Sequence, residues 1–439
     1  MRIVLPLALW LLTFGTSFGQ TAPNNELLRS GPMLGYAEMR EAVVWVQLHG
    51  KARLWARYKA TGASDYRYTD TLQTEEENAY TAKFYFKELD AGTTYQYDLI
   101  AGGKVLERPY PTTFTTAPNW AYRRDPPAFS MALGSCTYIN EKEYDRPGKP
   151  YGGGYAIFES IAAAQPDAML WLGDNIYLRP GDWWTRSGYL ARYSHTRALP
   201  EMQKLLATCN HYAIWDDHDF GPNNSSGSWI HRDWALESFK LFWPNPSYGY
   251  ADLPGITTAF RYRGIDFFLM DNRYHRTEEH AQAPEHIWGR KQTDRLVDLL
   301  LQSNAPYKFV ATGGQFLNSA QKYENHINFE RERQYLIRRI EEEDIEGVVF
   351  LSGDRHHSEV MHYPMPGGND LYEFTVSPLT SGPAQPEELN QWQVEGSLIE
   401  QRNYALLQVS GPYEARKVRI VFYSTEGKEL YRYELPGRE

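Results

Sequence analysis

From residue 127 onward, apolar runs of strand length alternate with runs of helical spacing, and this alternation leaves few folds open. "FSMALGSC", "DAMLWLGD", "HYAIWDDHD", "IDFFLMDNR", "YKFVATGGQ" and "EGVVFLSGDRHH" are short and largely apolar before their polar ends. Runs of this kind become strands buried on both faces. Between them, "YAIFESIAAAQ" (155–165), "PEMQKLLATC" (200–209), "GRKQTDRLVDLLLQS" and "ERERQYLIRRIEEE" carry apolar residues at helical spacing. The pattern predicts an α/β layered domain over residues 127–439, with "NYALLQVSG" and "KVRIVFYSTEGKELYRYEL" adding strands to its sheets.

The chain before this point reads differently. "AVVWVQLH" (42–49), "ARLWARY" (52–58), "YTAKFYFKEL" (80–89) and "TTYQYDLIA" (93–101) are short and rich in β-branched and aromatic residues, separated by turns such as "DAGT" and "AGGK". They predict a small β-sandwich over residues 24–118. "LDAGTTYQYDLIAGG" followed by "TTFTTAP" resembles the late strands of a fibronectin type III-like module, which implies placement or substrate gating rather than chemistry. "NWAYRRDPP" (119–127) is a polar, proline-ended linker. At 439 residues, two domains are also what the length favours.

Arg2, the apolar run 3–14 and the small residues near 16–19 predict a Sec-type signal peptide cut after Gly19, hence a periplasmic or secreted protein. No other run approaches the roughly 18 apolar residues of a membrane span. The net charge of -10 argues against general nucleic-acid binding, which requires a basic face.

The chemistry gathers at strand ends. "MALGSC", "LWLGDN", "AIWDDHD", "VATGGQ" and "VFLSGDRHH" each pass from an apolar run to polar residues of metal- or phosphate-binding type. In open α/β sheets, ligands bind beyond the carboxyl ends of the strands, so these residues converge despite their separation in sequence. A carboxylate such as Asp174 buried there without compensation costs several kcal/mol, so a shared cation is expected. "WDDHD" packs three acids around His218, and acids so close repel one another unless a cation intervenes. Asn223 and Asn224 add neutral oxygens suited to Ca²⁺ or Mg²⁺. Asp354 and His356, two apart, point the same way if the chain stays extended, and His357 then faces away. Arg355 either clamps a phosphate oxygen or pairs with an acid. Cys136 as thiolate favours a softer ion such as iron or zinc; the alternative is a disulfide to Cys209. Cys209, beside Leu205 and Leu206, reads as a buried apolar thiol.

Taken in order, "GSC", "GDNIY", "WDDHD…NN", "MDNR" and "SGDRHH" resemble the PhoD-type alkaline phosphatases, a branch of the metallophosphoesterases. The likeness covers nearly the whole mature chain. It implies a layered metallophosphoesterase sandwich preceded by a fibronectin/immunoglobulin-like β-sandwich. It implies an Fe³⁺–Ca²⁺ centre held by thiolate, carboxylates and a tyrosinate, with Zn²⁺, Mn²⁺ or Mg²⁺ as alternatives. Carried over by motif, Cys136, Asp174, Asp354 and His356 are metal ligands, with Asp174 as the bridge. Asp217 and Asn224 belong to the calcium-like site, and His218 contacts phosphate and protonates the leaving alkoxide. Tyr189, in "SGYLARY", is the metal-binding tyrosine by alignment, against Tyr193 and Tyr177. The sequence departs from the family in having "GDNIYL" for "GDYIYE", a shortened loop between Asp174 and Tyr189, Gln315 where relatives place a His, and no twin-arginine signal.

The expected activity is hydrolysis of small phosphate esters by metal-activated water, with Arg355 or Arg273 holding phosphoryl oxygens. Monoesters are the first substrate class, and diesters are left open. The rivals are a phosphodiesterase on the same scaffold and a non-catalytic, calcium-stabilised binding protein. Aromatics in "GDWWTRSGY" and "LFWPNPSYGY" read either as a pocket floor or as loop packing. Oligomeric state is not legible.

Overall fold

The computed structural model describes residues 27–278 and 285–437. The segment read as a signal peptide lies outside the described residues. The N-terminal region is all β. Strands Leu28–Ala37, Glu41–Leu48 and Thr81–Lys87 form one antiparallel sheet, and a second is built around the antiparallel pair Arg53–Ala60 and Thr94–Ala101. Leu34, Val44, Val46, Phe84 and Phe86 pack against Leu54, Ala56, Tyr58, Tyr95 and Tyr97 between the sheets.

The other face of the first sheet is not solvated. Met33, Val43 and Trp45 point away from the sandwich into the core of the α/β domain. This explains why "AVVWVQLH" lacks a polar face: side chains alternate across a strand, and here both sides are buried. Polar contacts fix the seam. Trp45 Nε1 donates to Leu241 O at 2.9 Å, Asn210 Nδ2 to Gly35 O at 2.7 Å, and Gln47 Nε2 to Ser194 Oγ at 2.7 Å.

The α/β domain stacks two six-stranded sheets. In the first, Phe129–Gly134, Ala168–Leu172 and Asn210–Ile214 are parallel. Asn403–Ser410, Lys417–Ser424 and Glu429–Glu434 extend it antiparallel from the far side of Phe129–Gly134. In the second, Ile265–Leu269, Lys308–Ala311, Val348–Ser352 and Leu371–Thr375 are parallel, with antiparallel edges Thr258–Tyr262 and Glu359–Tyr363. Alternation sorts their residues into layers. Phe267, Leu269, Phe309, Ala311, Val349 and Leu351 face the inter-sheet core. Phe268, Val310 and Phe350 face helices Arg290–Gln302 and Glu330–Glu342 through Leu296, Leu300, Leu336 and Ile340.

Both cysteines are free and buried, so the disulfide alternative fails. Cys209 Sγ donates to Leu205 O at 3.7 Å, the apolar-thiol setting expected for it. Among the described residues no helix is long and apolar enough to cross a membrane.

Candidate metal centre

The carboxyl ends of the parallel strands converge. Cys136 follows Phe129–Gly134 and donates its N–H to Gly173 O at 3.2 Å, and Thr137 N donates to Asp174 O at 2.8 Å. These two bonds lock the first two strand ends together. The backbone beyond the strands is strained: Cys136, Asp174, Asn224, Asp354 and His356 have φ of 60°, 52°, 61°, 65° and 58°. Non-glycine residues held there cost on the order of 1–3 kcal/mol each and tend to cluster at functional sites. The strain also overturns the extended-chain premise for "SGDRHH". Asp354 and His356 reach different groups of donors, while His357 turns away and lies with Nε2 3.5 Å from Glu359.

Three sets of donor atoms each lie within 4.8 Å of one another: Cys136, Asp174 and His356; Asp174, Asp217 and His218; Asp216, Asp217 and Asp354. Asp174 and Asp217 are each shared by two sets. The first set pairs thiol and imidazole with a carboxylate, which suits a softer ion. The third is all oxygen, which suits a hard one. His356 Nδ1 meets Gly382 O at 2.7 Å, so a proton on Nδ1 leaves Nε2 free as a ligand. The acceptors Asp216 Oδ2, Asp217 Oδ1, Asn175 Oδ1 and Asn272 Oδ1 are buried without a hydrogen-bond partner. Orphaned buried oxygens of this kind are costly, and a cation would satisfy them. The residues therefore fit metal ions.

Electrostatics agree. Burial, then the neighbouring Asp217 and Cys136, pushes Asp174 far above the usual carboxylate range. Burial raises Asp216 and Asp354 to about 7 and the Cys136 thiol to about 12. Asp217 is held at about 2: burial opposes ionisation, but His218, Arg273 and the Asn224 N–H, 2.7 Å from Oδ2, outweigh it. Burial lowers His218 below the ordinary imidazole range.

Not every residue expected at the site reaches it. Tyr189 Oη donates to Phe220 O at 2.9 Å and accepts from Trp229 Nε1 at 2.8 Å, so its hydroxyl serves loop packing. Tyr193 stacks on Phe242 with ring centres 4.9 Å apart. Of these three, Tyr177 is the one brought to the cluster: its hydroxyl lies 3.2 Å from His356 Nε2. Arg273 is fully buried; its guanidinium binds Asp216, Ser225 O and Glu324, so it braces acids and presents nothing to a substrate. Arg355 likewise donates to Gln315, Asn325 and Glu388 and lies over the Tyr323 ring at 4.7 Å. Asn224 acts on Asp217 through its backbone, and its side-chain oxygen accepts from Asn223. Gln315 donates to Glu359 and Thr375, joining the network behind Arg355. Asp216 and Asn272, not named individually as ligands above, belong to the oxygen-rich end. The sequence signals for them were the crowded acids of "WDDHD" and the "MDNR" strand end. Of the aromatic runs, Trp243 is packing and Trp184 is largely exposed beside Trp229.

Residues 131–416 match the profile of the PhoD-like phosphatases. The chain belongs to the PhoD-like phosphatase family. It is therefore a phosphoric ester hydrolase of a metal-dependent family, and the non-catalytic binding protein is excluded. Residues 25–118 match a domain family of unknown function. No curated protein matches the chain. Among solved structures, it is similar to PhoD with a TM-score of 0.75 at 16% identity, over 95% of this chain and 94% of that one. It is also similar to the purple acid phosphatase PPD1 from yellow lupin (Lupinus luteus) seeds, with a TM-score of 0.68 at 12% identity, over 92% of this PhoD-like chain and 73% of the lupin one. Both likenesses concern the fold, a layered phosphatase sandwich preceded by a β-rich region.

Proposed function

We propose that this PhoD-like phosphatase is an exported enzyme that hydrolyses phosphate monoesters, with diesters as a second substrate class. Export rests on residues 1–19, and the domains are taken as 24–118 and 127–439. The observation that carries the reading is the graded donor set: thiol and imidazole at one end, orphaned carboxylate oxygens at the other, and Asp174 between.

Cys136, Asp174 and His356, with Tyr177 alongside, would hold an iron-type ion. Asp216, Asp217 and Asp354, with Asn272, would hold a calcium-type ion, with Zn²⁺, Mn²⁺ or Mg²⁺ as substitutes. Bound there, the ions supply charge for the phosphoryl oxygens and a water acidified toward neutrality. The chain's own part is positional. Asn224 N–H orients Asp217, and Arg273 holds Asp216 from behind. His218 offers a ring nitrogen within 4.8 Å of Asp174 and Asp217 oxygens, and its ring centre lies 4.3 Å from that of Tyr177. Phosphoryl charge arriving beside His218 favours its protonated form, ready to donate to the leaving oxygen.

The test is elemental analysis of protein purified without added metal, paired with hydrolysis of p-nitrophenyl phosphate and bis-p-nitrophenyl phosphate. Bound metal with monoester turnover that a strong chelator abolishes is the expected result. Full activity in metal-free protein would sink the mechanism. Preference for the diester would change the substrate class and leave the site where it is.

A further inference from the structure

The first strand of the catalytic sheet, Phe129–Gly134, does not reach helix Ala156–Ala163 by a short turn. Residues 135–155 contain no helix or strand. Connections of this type usually take about 2–6 residues, and long structureless ones in compact domains are commonly binding loops or lids. This loop begins beside Cys136 and is built rather than slack. Tyr138 Oη donates to Asp145 Oδ1 at 2.7 Å, and Asp145 pairs with Arg179 at 2.9 Å. Asn140 and Gly152 exchange hydrogen bonds of 2.9 and 3.0 Å, and Gly153 N donates to Thr380 O at 2.7 Å.

The loop delivers Tyr151 to the mouth of the site. Its hydroxyl lies 3.0 Å from His356 Nδ1, yet 44% of the residue is exposed. Its ring meets Tyr138 edge-on at 4.9 Å, Tyr138 meets Tyr177 at 5.0 Å, and Tyr177 meets His218 at 4.3 Å. A wall of rings thus runs along the donor groups from His218 to His356. The hydroxyl end of the Tyr151 ring is the end that meets His356, and the two ring centres lie 6.0 Å apart. A phosphoryl group drawn to the metal ligands must direct its alcohol portion away from them. The carboxylates of Asp174, Asp216, Asp217 and Asp354 offer no apolar contact, whereas the ring wall does.

We propose that Tyr151 is a specificity-determining residue whose exposed ring packs against the alcohol portion of the ester and favours aryl or heterocyclic leaving groups over small alkyl ones. The inference rests on the phosphoesterase reading and adds the substrate class. The experiment compares kcat/KM for phenyl phosphate and glycerol phosphate in wild type, Tyr151→Phe and Tyr151→Ala, with metal content measured in each. Binding of phenylphosphonate and methylphosphonate is followed by calorimetry. Tyr151→Ala should lower the phenyl-to-glycerol ratio and the phenylphosphonate preference by about fivefold or more. Tyr151→Phe should keep both within about twofold, with metal content unchanged. Equal losses on both substrates, or a Phe variant as damaged as the Ala variant, would mean that the hydroxyl acts through His356 and would overturn the proposal. An unchanged ratio in an active Ala variant would overturn it while leaving the phosphoesterase reading intact. Wild type that cleaves neither ester and binds neither phosphonate would remove both.

Discussion

At the scale of single residues, the oxygen-rich end of the centre is defined by buried carboxylate and amide oxygens that lack a hydrogen-bond partner. Tyr177 and Tyr189 give the sharpest test. Tyr177→Phe is expected to lower metal affinity and activity at least about tenfold, because its hydroxyl meets His356 Nε2. Tyr189→Phe should change neither by more than about twofold and cost about 1 kcal/mol of stability for its lost hydrogen bonds. Metal titration and thermal melts of both variants check this, and the reverse outcome would restore Tyr189 as the ligand. Gly313 is a second case. A Cβ there would come within 2.5 Å of Asp216 Oδ2, so Gly313→Ala should push that carboxylate aside. Metal affinity should fall by about 10–100-fold while the fold persists; an unaffected affinity would show that Asp216 is no ligand. The convergence of Cys136, Asp174, Asp217, His218, Asp354 and His356 was legible in the sequence because a strand end announces itself. The roles of Arg273 and Arg355 were not. Whether an arginine faces substrate or braces an acid depends on Asp216 and Glu324, or on Gln315 and Glu388, which only the fold brings near.

At the scale of elements, the seam between strand Thr81–Lys87 and helix Arg232–Phe242 carries a titratable latch. Lys83 Nζ donates to Lys240 O, to Trp243 O at 3.0 Å and to Tyr248 Oη at 2.9 Å. Burial holds its amine down at about 7, against an ordinary value of 10.5. Between those values the unfolded chain binds the additional proton, so this group makes the fold more stable as pH rises through the window. The penalty for the buried ammonium is fully present below about 7. The stability of wild type relative to Lys83→Met should therefore grow between pH 7 and 10, by at most about 1.4 kcal/mol per pH unit. A gap that shrinks over that range would show that the charged ammonium stabilises the seam through its three acceptors. Helix legibility followed the same physics. Arg290–Gln302 and Glu330–Glu342 show an apolar stripe because one face meets the sheet and the other water. Arg186–Arg197 was not recognised because it buries Arg192, Ser194, Thr196 and Arg197 together with Tyr189 and Tyr193, which hides the stripe.

At the scale of the whole molecule, the composition change near the linker marks two kinds of architecture, but the two share a core. Sequence alone does not show this, because a strand buried on both faces reads the same whether its second cover is a neighbouring sheet or a neighbouring domain. Trp45 is fully buried in the α/β core. Trp45→Ala should destabilise the protein by about 3–5 kcal/mol in a single unfolding transition seen by calorimetry. Two separate transitions, with only the first shifted, would mean that the sandwich stands alone. The catalytic sheet has a further consequence for synthesis. Strand Phe129–Gly134, which leads into Cys136, pairs on one side with Asn403–Ser410, so Phe129 waits for Val409. At roughly 5–20 residues per second, that wait lasts roughly 15 s to 1 min. Every candidate ligand from Cys136 to His356 is translated before the partner strand exists. A chain stopped in that interval would carry the full ligand set on an unfinished sheet, and the centre is therefore among the last features of the molecule to form.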